Sequence, residues 1–211
     1  MEALHLTPAT LAAVIITLSF AAGLNLYATV LTLGVMARLH WVELPQGLES
    51  LAHTWVMVAS GILFAGEFVA DKIPGFDLAW NAAHTFIRIP AAALMAYAAT
   101  SHLSPGWQAL ATALGAAIAG AAHGSKNVMR IAVTPSPEPV SNIGLSSLED
   151  LVAIGLTGLV MHYPTIAGIT AGVLALAGIV LIWVSVRMIR NLWGRIMTRF
   201  LPQNSIESAA R

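Results

Sequence analysis

Apolar residues run through this chain in long blocks, separated by short polar or Gly/Pro-bearing segments. The first block, residues 11–39, exceeds the ~20 residues that one straight membrane crossing needs, and Gly23-Leu24-Asn25 interrupts it. It reads as two half-length helices meeting at that break, or as one long kinked helix. The second block, 51–70, contains Glu67 and runs into Asp71-Lys72, after which Pro74-Gly75 predicts a turn. A third helix is predicted over 76–99, with Pro90 as a kink, and Ser104-Pro105-Gly106 closes this half. The fourth block, 107–122, is expected to break at Gly124-Ser125-Lys126-Asn127 and to continue as a short basic helix over 127–133. Residues 134–139, rich in proline, read as an extended loop. A helix over 147–162 and a last span over 166–186, separated by Pro164, complete the pattern.

The blocks fall into two similar halves. Gly47-Leu48-Glu49-Ser50-Leu51 matches Gly144-Leu145-Ser146-Ser147-Leu148, and the same register aligns Gly61 with Gly158 and His53 with Asp150. The two predicted helix breaks align after a shift of a few residues. Three spans per half put the second half into the membrane upside down, and inverted repeats with broken helices are a common transporter plan. The expected fold is therefore an all-α integral membrane protein of about six segments. It would consist of a first repeat (1–104), an inverted second repeat (105–186) and a basic amphipathic C-terminal helix and tail (187–211).

Composition agrees. The 211 residues are 57% hydrophobic and 9% charged, against about 25% charged in soluble domains. Ten acids balance ten bases, so nothing favours a nucleic-acid partner, and the absence of cysteine excludes disulfides, thiolate metal sites and cysteine nucleophiles. No cofactor is expected. No small-residue cleavage site follows a charged start, so the first apolar block is expected to be retained. Arg187, Arg190, Arg195 and Arg199 place the C-terminal segment in the cytoplasm, and six crossings would bring the N-terminus there too. Ile189, Leu192, Trp193, Ile196 and Phe200 share one face of that segment, which suits a helix lying on the bilayer surface or the end of the last span. Gly115/Ala119, Ala116/Gly120 and Gly168/Gly172 are small pairs one turn apart that let helices approach closely and permit a homodimer.

The candidate chemistry lies in charges that apolar helices do not ordinarily carry. Each costs roughly 2.5–3.5 kcal/mol to insert at a helix centre, so it should face the bundle interior and find partners. Glu67 and Asp71 are one turn apart and fit a proton or cation site. Asp77, Asn81, His84 and Arg88 form one polar stripe that should face a cavity or complementary charges, for example Arg88 with Glu67. Lys126 and Arg130 follow the Gly124 break, where free backbone N–H groups would help to hold an anion. Ser146 and Glu149 fit a capping box, with Asp150 beside them. Asn25 and Asn127 sit at the two breaks, either as caps or as ligand contacts.

Several of these strings, taken together, resemble those of one family. Gly23-Leu24-Asn25-Leu26-Tyr27, the run from Glu67 to Pro74, His84-Thr85-Phe86-Ile87-Arg88, and Ser141-Asn142 followed by Ser147-Leu148-Glu149-Asp150 resemble the bacterial inner-membrane proteins grouped as domain of unknown function 4126. The resemblance implies an inner-membrane protein of this size and brings no activity with it. Glu67 with Asp71-Lys72 is also similar, more weakly, to the acidic motif of the lysine-exporter superfamily and its cation/proton exchangers, which have about six spans in two inverted halves; here Ala70 replaces the glycine of that motif.

The leading expectation is a small secondary transporter or channel for an ion or a small polar or zwitterionic solute. The acids would bind a coupling proton or cation, and Arg88, Lys126 and Arg130 would balance them. The alternatives are a membrane-embedded enzyme acting on a lipid or lipid phosphate, with His84, Arg88, Asp77 and Glu67 as acid/base and clamp, and a non-catalytic scaffold using the basic C-terminal helix.

Overall fold

A computed structural model describes residues 7–73, 75–133 and 139–200. Among them are seven α-helices and no strand: α1 (Pro8–Leu24), α2 (Leu26–Arg38), α3 (Thr54–Ala70), α4 (Phe76–Ala99), α5 (Pro105–Val133), α6 (Pro139–His162) and α7 (Pro164–Phe200), with a short 3₁₀ turn at Glu49–Ala52. Their starts follow ordinary rules. Proline occupies the first helical position of α1, α5, α6 and α7, where its missing N–H costs nothing. Thr7 caps α1 by accepting from the Thr10 amide. Gly75 precedes α4 at φ 84°, a conformation that suits a residue without Cβ. Two helices, over Val140–His162 and Pro164–Ile196, are long and apolar enough to cross a membrane.

α1 runs through the middle of the bundle. It is apolar all round, as a helix enclosed on every side should be, and it is buried continuously from Ala13 to Leu24 apart from Ile16. Glycines set its distance to its neighbours. A Cβ on Gly23 would meet the Ala119 carbonyl oxygen at 2.6 Å, one on Gly115 would lie 3.0 Å from the Ser19 hydroxyl, and one on Gly168 would meet Ala13 Cβ at 2.6 Å. Of the small pairs, Gly115/Ala119 and Gly168 thus serve close packing, whereas Gly172 has nothing within 4 Å.

The same contacts show how the first apolar block is folded. Leu11 and Ile15, near the start of α1, pack with Ala96, Leu103 and Ala111, at the end of α4 and the start of α5. Leu24, at its end, reaches Lys126 deep in α5. α2 then returns. Tyr27 meets His84, Leu31 faces Gly61, Gly34 faces Met57 and the Leu51 carbonyl, and beyond α2 Gly47 presses on Ala98 while the Gln46 carbonyl accepts from Ser101. The start of α1 and the end of α2 therefore lie at the same end of the bundle. Of the two readings of this block, half-length helices meeting at a break is the one found, and they form a hairpin with Asn25 at its tip.

Other expectations are corrected or refined. α5 continues through Gly124-Ser125-Lys126-Asn127 without a break. Gly124 serves packing there, since a Cβ would meet Ile182 Cδ1 at 2.9 Å. α6 begins at Pro139, well before residue 147, so Ser146 lies inside the helix and caps nothing. The aligned motifs also differ in form: Gly47 is a loop residue at φ 92°, while Gly144 is helical. Of the two readings of the basic segment from residue 187, the continuation of the last helix is the one found, as α7 runs on unbroken, and residues 186–196 are all exposed. The Pro-rich loop over 134–138 lies outside the described residues, as does Pro74.

The outer surface of the bundle is apolar. Trp55, Ile62, Phe86, Leu151 and Ile169 are all well over half exposed. The charged side chains of α3 to α6 point inward instead.

Candidate functional site

Four helices and one turn bring ionisable side chains to the end of the bundle where the hairpin tip lies. α3 supplies Glu67, and the turn after it supplies Asp71. α4 turns Asp77, Asn81, His84 and Arg88 inward on one face, all buried. α5 supplies His123, Lys126, Asn127 and Arg130, again one face of a continuous helix. α6 supplies Asn142, Ser146, Glu149 and Asp150. Arg88, Lys126 and Arg130 are each 0% exposed. Every residue proposed from the sequence for the candidate site, from Asn25 to Asp150, lies in or against this one network.

Lys126 is the hub. Its ammonium donates to Asp71 Oδ2 at 2.6 Å and to the Leu24 carbonyl at 3.2 Å, and lies 3.5 Å from both Glu67 Oε1 and Glu149 Oε2. Leu24 is the last residue of α1, so the cation also sits at the negative end of that helix dipole. Arg130 donates to Glu149 Oε2 at 2.6 Å, to Asp71 Oδ2 at 3.2 Å, to the Asp71 carbonyl at 2.6 Å and to Asn142 at 3.0 Å, with Asp77 Oδ2 at 3.5 Å. Arg88 donates to Glu67 Oε1 at 2.5 Å and to Asn81 Oδ1 at 3.0 Å. Lys72 stands half-buried at the rim, on the Phe68 carbonyl and ring. Burial pushes the Asp71 carboxyl up, but Lys126 and Arg130 outweigh it and hold this turn residue below the usual carboxylate range.

The histidines are fixed by their partners. His84 Nδ1 faces the Trp80 carbonyl at 2.8 Å, which only accepts, so the neutral ring carries its proton on Nδ1. Nε2 then accepts from the Tyr27 hydroxyl at 3.1 Å. His123 Nδ1 lies 3.1 Å from Arg88, which only donates, so its ring proton is on Nε2, facing the Asn81 carbonyl and the Thr85 hydroxyl. The Asn127 amide is 3.2 Å from that Nε2, and its oxygen end suits the N–H there.

Asn25 joins the hairpin to the network. Its oxygen accepts from the Ala28 amide and caps α2, while its nitrogen donates to Asp150 Oδ1 at 2.8 Å. Among the described residues, Glu67 Oε2, Glu149 Oε1 and Asp150 Oδ2 are buried without a hydrogen-bond partner. Among the described residues no group of three or more His, Cys, Asp or Glu side chains is placed to hold a metal ion.

One expectation changes here, and one that was left open is decided. With α5 unbroken, Lys126, Asn127 and Arg130 act through side chains alone, because backbone N–H groups inside a continuous helix are already bonded. The polar stripe of α4 meets complementary charges rather than an open passage. Sequence reasoning missed Tyr27, His123 and Asn142 as members of the network. For His123 the signal was present, because 123, 126, 127 and 130 have the spacing of one helical face; the predicted break concealed it.

The family model described as Domain of unknown function (DUF4126) matches residues 12–184. No curated protein and no solved structure matches the chain.

Proposed function

The chain belongs to the DUF4126 family, and from the chemistry of its core we propose that it is an integral membrane carrier moving an ion or a small polar or zwitterionic solute, coupled to a proton or cation. The carrying observation is the inverted polarity of the bundle: five carboxylates and three cations are enclosed behind an apolar surface. Water would solvate these groups at no cost, and hydrocarbon would not, so evolution of such a core makes physical sense when the interior handles something polar. A discontinuous helix at membrane depth, tolerated only where protein or a cavity satisfies its backbone, adds to this reading.

On this proposal α3 to α7 cross the inner membrane and the α1–α2 hairpin enters from the other side. Lys72, Arg187, Arg190 and Arg195 lie toward the ionic end, and Arg38 toward the opposite one, so the ionic end is cytoplasmic by the positive-inside rule. The N-terminal end of α1 then lies outside, a revision of the expectation that both termini are cytoplasmic. A passage of this kind needs no symmetry between the halves. With Lys126 and Arg88 wholly buried, a solute reaches them only when the bundle opens, which favours a carrier over a permanently open channel.

The lipid-enzyme alternative is weaker, because both nitrogens of His84 are already engaged by protein and none is left to serve a substrate. Reconstitution into liposomes tests the proposal. Purified protein loaded with a pH-sensitive dye and offered small cations, anions and amino acids should give a solute-dependent proton or charge signal, and Glu67→Gln should lower it at least tenfold while the protein stays monodisperse. A chain that moves none of these yet turns over a lipid in detergent is an enzyme. One that does neither, and loses its cellular role only when the arginines after Val186 are changed, is a scaffold.

A further inference from the structure

The enclosed carboxylates are not equivalent. Glu67, Asp71, Asp77 and Glu149 each have a cation within 4.0 Å. Asp150, 5% exposed, has no such ion pair among the described residues. Its Oδ1 is held by the neutral Asn25 amide, and its Oδ2 has no partner among the described residues. A buried carboxylate without a counter-ion is among the costliest arrangements a protein can hold, and such a group ordinarily neutralises itself. Its surroundings carry both signs. The α1–α2 tip offers Asn25; α5 offers Lys126, whose contacts go to Asp71, Glu67 and Glu149; α3 and its following turn offer Glu67, Asp71 and Lys72; Glu149 adjoins it on α6; and α7 carries no ionisable group before Arg187.

We infer that Asp150 is a proton-binding site, and that its occupancy governs how firmly the tip of the α1–α2 hairpin is held. The step is simple uptake. A proton adds to Oδ2, the carboxylate becomes a neutral acid, and no other bond breaks. Ionised, Asp150 accepts a charge-assisted hydrogen bond from Asn25; neutral, it accepts one about half as strong. Asn25 also caps α2 through its oxygen, and the neighbouring Leu24 carbonyl holds Lys126, the hub of the ion pairs. Loading Asp150 therefore loosens the tip and, through Leu24, the network beneath it. That this proton is the coupling proton rests on the carrier reading; that it binds at Asp150 does not.

Infrared spectroscopy tests the binding directly. The chain contains only three aspartates, Asp71, Asp77 and Asp150, and the first two are ion-paired. Full-length protein in lipid nanodiscs, grown with ¹³C-carboxyl aspartate, should show a protonated-acid carbonyl band at neutral pH that shifts with the label and disappears when the solution is made alkaline. Asp150→Asn should abolish the band, and Asp77→Asn should keep it. A wild-type chain with no label-sensitive acid band at any pH overturns the inference without the need for a variant, as does a band that survives Asp150→Asn. Because the band is read without any solute, proton binding without flux would refute the carrier alone, and flux without the band would refute the proton site alone.

Discussion

Lys126 touches acids from α3, from the α3–α4 turn and from α6, and the carbonyl that ends α1. Removing it leaves three carboxylates facing one another with less compensation, and breaking a buried pair from one side typically costs about 3–5 kcal/mol. Lys126→Met should therefore lower stability by about that much in denaturant titration of the detergent-solubilised protein. Lys72→Met, at the half-buried rim, should cost less than about 1 kcal/mol. Asn25→Ala removes a cap worth about 1 kcal/mol and also strips Asp150 of the Asn25 donor, so a loss larger than the cap alone is expected. The members of this network were largely legible in the sequence, because a charge inside an apolar helix has few places to go except inward. Which charges pair was not legible, apart from Arg88 with Glu67, since pairing depends on distances between elements.

At the scale of elements, glycine and proline were the informative residues, and they misled where their local and tertiary roles differ. Gly23 and Gly124 looked alike as helix breakers. Gly23 lies just before a real break, made by Asn25 at φ −147° and ψ 101°, whereas Gly124 lies inside a continuous helix and makes room for Ile182. The two should respond differently to substitution. At Gly23 a Cβ meets backbone, which cannot move aside, so Gly23→Val should cost about 1–3 kcal/mol or more by overpacking. At Gly124 the obstacle is the end of a flexible side chain, so Gly124→Ala should be milder. Gly172→Ala, with open space, should be neutral or gain up to about 1 kcal/mol from helix propensity. Thermal unfolding of the three variants in one detergent checks the order.

For the molecule as a whole, the decisive feature is that α1 enters and α2 leaves at the same end. The absence of cysteine makes this easy to examine. Single cysteines at Thr7, His40 and Arg195, all exposed, should separate into two classes when intact cells are treated with a membrane-impermeant thiol reagent. Thr7 and His40 should label together from outside, and Arg195 only after the membrane is opened. If Thr7 and His40 fall on opposite sides, the hairpin is a crossing helix after all.

Periodicity and composition determined what local chemistry can determine: that the chain is helical, where α4 begins and ends, that the first apolar block is interrupted at Asn25, and which polar positions share a helical face. They did so because helix formation and burial are dictated by each segment's own residues. Whether a long apolar block crosses or turns back, whether a glycine breaks a helix or admits a neighbour, and which carboxylate is left without a cation were decided by the tertiary structure. Those outcomes depend on what lies across a helix interface, and no window along the chain contains both sides of it.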